Sequence, residues 1–217
     1  MAIRKPMEEN GYQEIDIDNL EKDLDGHISS GWDAANEFLE KKKTGDYPND
    51  TRLSEETQLF YFMENEPFAI YRQYWVEKEG KKSYVALGDE DPLSVVAGLQ
   101  ARPKFAFNVL NLTSGEPVQE VLTASTMLAR QLQQHNDDPR RGPLSKGFWE
   151  ISRQGKGPQT MFSTQLVKAK DLSEEWNLEP EDIHKQAKSM VCWDSSIIKP
   201  ASYEEHLEIA RNLVKGS

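Results

Sequence analysis

The sequence predicts a mainly β chain with helical flanks, an α+β protein, and three observations carry that expectation. Short, aromatic-rich strand patterns begin at residue 58, one helix pattern interrupts them before the last hairpin, and helix patterns occupy both ends. In chain order, residues 12–43 read as helical. Either Ser29 or Ser30 caps a run in which Trp32, Ala35 and Leu39 form one apolar stripe. Gly45 stops it, and Tyr47-Pro48-Asn49-Asp50 is a turn or linker.

Residues 58–64 and 68–76 are strand patterns separated by Asn65-Glu66-Pro67. In the second, Phe68, Ile70, Arg72, Tyr74 and Val76 share one face, and Ala69, Tyr71, Gln73, Trp75 and Glu77 the other. Glu79-Gly80 turns the chain into residues 82–88. Residues 104–112 alternate, with Phe105, Phe107 and Val109 on one side, and Thr113-Ser114-Gly115-Glu116 turns them into 117–123. Residues 124–135 read as a helix with Met127, Leu128 and Leu132 on one face, 136–143 as a polar loop, and 146–163 as a final hairpin. Phe105, Phe107 and Phe162 are the expected core. Residues 181–191 and 203–214 are helical again, the latter with Tyr203, Leu207, Ala210 and Val214 in register.

Five or six short strands with one helix before the final hairpin are the element order of an OB-type barrel, with the terminal helices outside it. The expected division is an acidic helical arm over 1–50, a core over 51–170 and an acidic helical segment over 171–217.

Charge follows the same division. The net charge of −11 on 217 residues argues at first against nucleic acid, but residues 67–170 hold 14 basic and 10 acidic side chains. Residues 1–66 hold 7 and 17, and residues 171–217 hold 5 and 10. A basic middle lies between acidic flanks. Cys192 is the sole cysteine, which excludes an internal disulfide and a multi-cysteine metal cluster within one chain. Nothing resembles a membrane span or a signal peptide, so a cytoplasmic protein is expected.

The hairpin KGFWEISRQGKGPQTMFS joins two devices used to hold single strands: cations for phosphates and aromatic faces for bases. Trp149, Ile151 and Arg153 share one face of its first strand, and Gly155 and Gly157 allow a tight turn beside Lys156. Lys146 opens it. Tyr71, Arg72, Trp75, Lys81, Lys82 and Lys104 extend the same candidate surface from neighbouring strands. Trp149 or Trp75 is expected to stack on bases, with Arg153, Lys156 and Lys104 on phosphates. A collapse of stability in Trp149→Ala would instead mark Trp149 as core, as most aromatics in short strands are.

Five segments in order carry a resemblance: Gly31-Trp32-Asp33-Ala34-Ala35; Tyr71-Arg72-Gln73-Tyr74-Trp75; Gly88-Asp89-Glu90-Asp91-Pro92-Leu93; Arg102-Pro103-Lys104-Phe105-Ala106-Phe107-Asn108-Val109; and Gly142-Pro143-Leu144-Ser145-Lys146-Gly147-Phe148-Trp149. Together they resemble a family of single-stranded DNA-binding proteins of tailed actinobacterial phages, similar in outline to the helix-destabilising protein of T-even phages. The resemblance implies an OB fold, sequence-independent binding of single-stranded DNA in replication, recombination or repair, and the host cytoplasm as its place. From the charge pattern itself, the acidic flanks are expected either to compete with DNA for the basic middle or to recruit replication or recombination proteins, with self-association on DNA as a further expectation. The family often carries a Cys-Pro-x-Cys knuckle where this chain reads Asp91-Pro92-Leu93-Ser94, so no zinc and no other cofactor is expected.

Two rivals belong to other classes. The acidic run Glu8, Glu9, Glu14, Asp16, Asp18, Glu21, Asp23 and Asp25 suits a protein-interaction or DNA-mimic role. A nuclease would need clustered carboxylates, and no Walker loop, zinc-protease helix or nucleophile–base pair accompanies them.

Overall fold

The computed structural model describes residues 3–7, 11–15, 48–76, 82–155 and 157–215. Residues 1–47 and 48–217 are separate units. In the first, β1 (Ile3–Met7) pairs antiparallel with β2 (Gly11–Ile15), Ile3 opposite Ile15. The helix expected from residue 12 is therefore a strand over its first four residues. Its pairing partner lies upstream, where local periodicity gives no hint of it. The rest of that expected helix, with Trp32, Ala35 and Leu39, lies outside the described residues.

The second unit runs β3 (Asn49–Asp50), β4 (Gln58–Phe62), β5 (Ala69–Val76), β6 (Lys82–Val85), α1 (Pro92–Val95), β7 (Arg102–Asn111), β8 (Val118–Ser125) and α2 (Thr126–Asp137). Then come β9 (Phe148–Gln154), β10 (Met161–Val167), α3 (Ala169–Glu175), α4 (Pro180–Ser189) and α5 (Tyr203–Lys215). The ten-residue β7 organises the sheet. One of its edges pairs with β8 from Lys104 opposite Ser125 to Asn111 opposite Val118. The other edge takes β4 near its C-terminal end, Phe62 opposite Val109, and β5 near its start, Ala69 opposite Ala106. β4 and β5 are thus two halves of one interrupted strand. Asn65-Glu66-Pro67 bulges out between them because Pro67 has no N–H for the ladder. The N–H of Met63 donates to Asn108 O and that of Phe68 to Ala106 O, so both ends stay in register with β7.

β9 continues the sheet beyond β4 and β10 beyond β9, while β6 flanks β5 and β3 runs parallel to β8. The fold is mixed α+β, with eight strands rather than five or six. Among the described residues β10, β6 and β3 each pair with one neighbour, so the sheet is open and the closed OB-type barrel is not what forms. α2 packs on the inner face, in contact with β7, β8 and β10. Leu128, Ala129 and Leu132 fill the inner face with Phe60, Phe62, Phe107, Val109, Leu122, Trp149 and Ile151. Met127, expected in that stripe, is exposed. Phe107 is in the core as expected, and Phe105 and Phe162 pack at its margin.

Two side-chain bonds tie α2 to β10. Gln131 Nε2 donates to Phe162 O at 3.3 Å, and His135 Nε2 lies 2.8 Å from Thr164 Oγ1. Burial, and then the nearby Arg141 charge, lower the pKa of His135 below the ordinary histidine value. As pH falls through about 6.5 the unfolded chain therefore takes up this proton before the folded one, and stability declines. Thermal melts from pH 8 to pH 5 should show that decline in the wild type and a smaller one in His135→Gln. An equal pH slope in both proteins would exclude His135 as its source.

The outer face is covered by the C-terminal segment. Leu172, Leu178, Ile183 and Ala187 pack on Leu59, Tyr61, Leu110 and Phe148. Each fully buried leucine, such as Leu172, contributes about 1.5–3 kcal/mol. Asn108 is a second fastening: its side chain donates to Trp193 O and accepts from Trp193 N–H, both at 2.9 Å. Residues 171–217 are thus built into the unit that starts at residue 48 and are not an arm of their own. In α5 the packed stripe is His206, Ile209, Ala210 and Leu213, while Tyr203 and Val214 are exposed. The expected stripe shared only Ala210 with this buried set, because two stripes with helical spacing compete in that segment and the sheet surface chooses between them.

Candidate nucleic-acid interface

β5 and β7 lie side by side, so paired residues stand on the same face. On the outer face Tyr71 is opposite Lys104 and Gln73 opposite Arg102, while Trp75 is opposite Ser83 of β6. Trp75 is 53% exposed although its neighbours in the strand, Tyr74 and Val76, are buried. A large aromatic ring held open to solvent by a paired strand is the informative kind of exposure. Burial, and then the adjoining Arg102 charge, hold the Lys104 ammonium below the ordinary lysine range. Among the described residues neither cation forms an ion pair, so both are available to an anion. Tyr71 is half-buried against the Ala69, Ala106 and Val121 cluster, and burial raises its hydroxyl pKa, which keeps the group neutral.

Tyr71, Trp75 and Lys104 therefore share one face, and Arg72, Lys146, Trp149 and Arg153 do not join it. Arg72 is exposed on the opposite face of β5, across from Pro103. Lys146 is exposed in the 3-10 turn Leu144–Lys146 that leads into β9. Arg153 is half-buried in β9, opposite Phe162, and its backbone N–H donates to Ser54 O at 2.7 Å. Lys81 and Lys156 lie outside the described residues. Position 82 is opposite Val76, and the Lys82 side chain also lies outside them.

Trp149 requires a correction. Its side chain has no exposed area, and its indole N–H donates to Leu144 O at 2.9 Å. Its ring lies against His135 with centroids 4.7 Å apart. Phe148 is buried on the other side of the sheet. The aromatic residues of the hairpin are thus core, because α2 covers one face of β9 and the C-terminal helices cover the other. Gly155 does make the tight turn, with φ +75° and Gln159 O only 2.6 Å from where a Cβ would stand. Arg102 was not among the expected site residues. The signal was present in Arg102-Pro103-Lys104, whose two cations alternate onto one face once the strand is known to start at residue 102.

The loop at Asp91 is held without a metal ligand set. Asp91 caps α1, with Oδ1 accepting from Leu93 N–H at 2.9 Å and Oδ2 from Leu87 N–H at 2.8 Å. His206 Nδ1 donates to the same carboxylate at 2.9 and 3.0 Å, and both side chains are fully buried. His206 Nε2 has no hydrogen-bond partner among the described residues, and its ring stands edge-on to Tyr74 and Tyr84. Among the described residues no three His, Cys, Asp or Glu side chains gather as a metal site would need. Cys192 stands half-buried beside Glu64, and burial pushes its thiol pKa up, away from a reactive thiolate. No helix among the described residues is long and apolar enough to cross a membrane.

No protein-family model, curated protein or solved structure matches the chain.

Proposed function

We propose that the protein binds single-stranded DNA with little sequence preference and without covalent chemistry, as a phage replication, recombination or repair protein would. The observation that carries this reading is the exposed Trp75 on the same sheet face as Arg102 and Lys104, two residues beyond the Gln73–Arg102 pair. A base stacks on the Trp75 ring, which contributes about 1–3 kcal/mol whatever the base, since every base has a π-face. The phosphates follow β7, meeting Arg102 and then Lys104, and Tyr71 extends the path toward β8. Backbone contacts and stacking leave base edges unread, hence the low sequence preference. The net charge of −11 opposes non-specific attachment elsewhere on the protein and confines binding to this face.

Fluorescence anisotropy with a labelled oligothymidylate, titrated at several salt concentrations, tests the reading. Affinity should fall with salt, and Trp75→Ala should weaken binding by about 1–3 kcal/mol with an unchanged melting temperature. The Arg102→Gln and Lys104→Gln changes should each flatten the log–log salt slope by about 0.7. A salt-independent complex, or equal affinity for duplex, would defeat the proposal.

A further inference from the structure

Behind the outer face, at the far end of β5, the chain leaves β6 and returns to β7 through residues 86–101, and this excursion encloses a cleft of about 620 Å³. That lies within the roughly 300–1,000 Å³ of small-ligand sites. Arg72, Asp89, Ser94 and Gln100 give it polar groups, and Leu99 and Pro103 give it an apolar wall. Arg72 is exposed and forms no ion pair among the described residues. Tyr71 belongs both to this lining and to the Trp75–Lys104 face, so the cleft borders the surface described above.

We infer that this cleft takes a single nucleotide unit, with its phosphate on the Arg72 guanidinium and its base against Leu99 and Pro103. The inference rests on the single-strand reading for the source of the nucleotide, and its own support is separate. A guanidinium beside an apolar wall suits a phosphate joined to a flat heterocycle. The Asp89 carboxylate accepts from the exocyclic amino group of a base, and the Gln100 amide both donates and accepts. Asp89 would repel a bare anion, and that selects a ligand with donors on one end and negative charge on the other.

The cleft is also preformed. Tyr74 in its lining is 2% exposed and packs with Leu93 and Ala210. The loop is pinned through Asp91 to His206 of α5, 115 residues away. Gly88 holds φ +128°, a conformation that side chains rarely adopt. Little ordering is left for a ligand to bring about, which favours binding of a small unit.

Two arms on the full chain test this. In the first, Arg72→Gln and Gln100→Ala, both at exposed positions, are compared with the wild type for binding an oligothymidylate and an oligodeoxycytidylate. Arg72→Gln should lower affinity about tenfold and Gln100→Ala severalfold for both oligonucleotides, with melting temperatures unchanged. In the second, deoxycytidine monophosphate is titrated while backbone amide signals are followed by NMR. The amides of Gly88, Leu99 and Gln100 should shift, and those of Gln73 and Trp75 should not.

If the wild type binds oligonucleotides but Arg72→Gln and Gln100→Ala bind equally well and the monophosphate shifts nothing, the cleft inference is overturned and the single-strand reading survives. If the monophosphate shifts these amides while oligonucleotides are ignored, the cleft is a site for free nucleotides and the single-strand reading fails. Silence in both arms overturns both.

Discussion

Trp149→Ala is expected to lower the unfolding free energy by about 3–5 kcal/mol, the range for removing a large aromatic side chain from a packed core. The indole is the largest fully buried side chain, set among Phe60, Leu128, Leu132, Leu144 and Ile151 on the α2 face. Truncation leaves a cavity at the seam where α2 meets β9. It also deprives Leu144 O of its donor and His135 of the ring it lies against. Trp149→Phe keeps most of the apolar volume and loses the N–H bond, so about 1 kcal/mol of further cost beyond the volume change is expected. Chemical denaturation with an unchanged m-value measures both. The folded fraction of Trp149→Ala should bind single strands as the wild type does, because the ring never meets solvent. Loss of binding with stability intact would return Trp149 to the interface.

Asp91→Ala is expected to be comparably damaging, at about 3–5 kcal/mol, because it leaves several buried donors without an acceptor, each costing about 1–3 kcal/mol. Three donors lose their acceptor together: Leu87 N–H, Leu93 N–H and His206 Nδ1–H. The loop over residues 86–101 and α5 would then part, and the cleft lined by Arg72 and Gln100 would lose its rear wall. The pH dependence has a definite sign. Burial by itself would raise the Asp91 pKa, but the hydrogen bonds from Leu87, His206 and Leu93 outweigh it and hold the carboxyl below its ordinary value. Its stabilisation is therefore complete above about pH 4 and is lost as pH falls through the lower folded value. Acid titration of the melting temperature should show this loss in the wild type and not in Asp91→Asn. The same acid slope in Asp91→Asn would assign it to other carboxylates.

Much of the secondary structure was legible because its causes are local. The alternation of 104–112, the turn Thr113-Ser114-Gly115-Glu116 and the helical spacing read over 124–135 and 203–214, found at 126–137 and 203–215, each lie within a few residues. The candidate interface was half legible. Strand alternation put Tyr71 and Trp75 on one face and Arg72 on the other, and the register onto β7 bears this out. What alternation cannot say is which face is buried. Trp149 and Trp75 both sit in short aromatic strands next to cations. One is sealed by α2 and the other is exposed.

By itself, then, the sequence determined where the longer strands and helices after residue 57 run, where the chain turns between them and which side chains share a strand face. Tertiary structure alone decided that 58–76 is one interrupted strand along β7, that the sheet stays open with α2 packed on its inner face, and that the acidic C-terminal segment is a cover. It alone brought His206 to Asp91 across 115 residues. The physical reason is the range of the interactions. Propensity and periodicity act over one or two turns, whereas burial and pairing depend on whichever distant surface offers the complementary apolar area or the missing hydrogen bond.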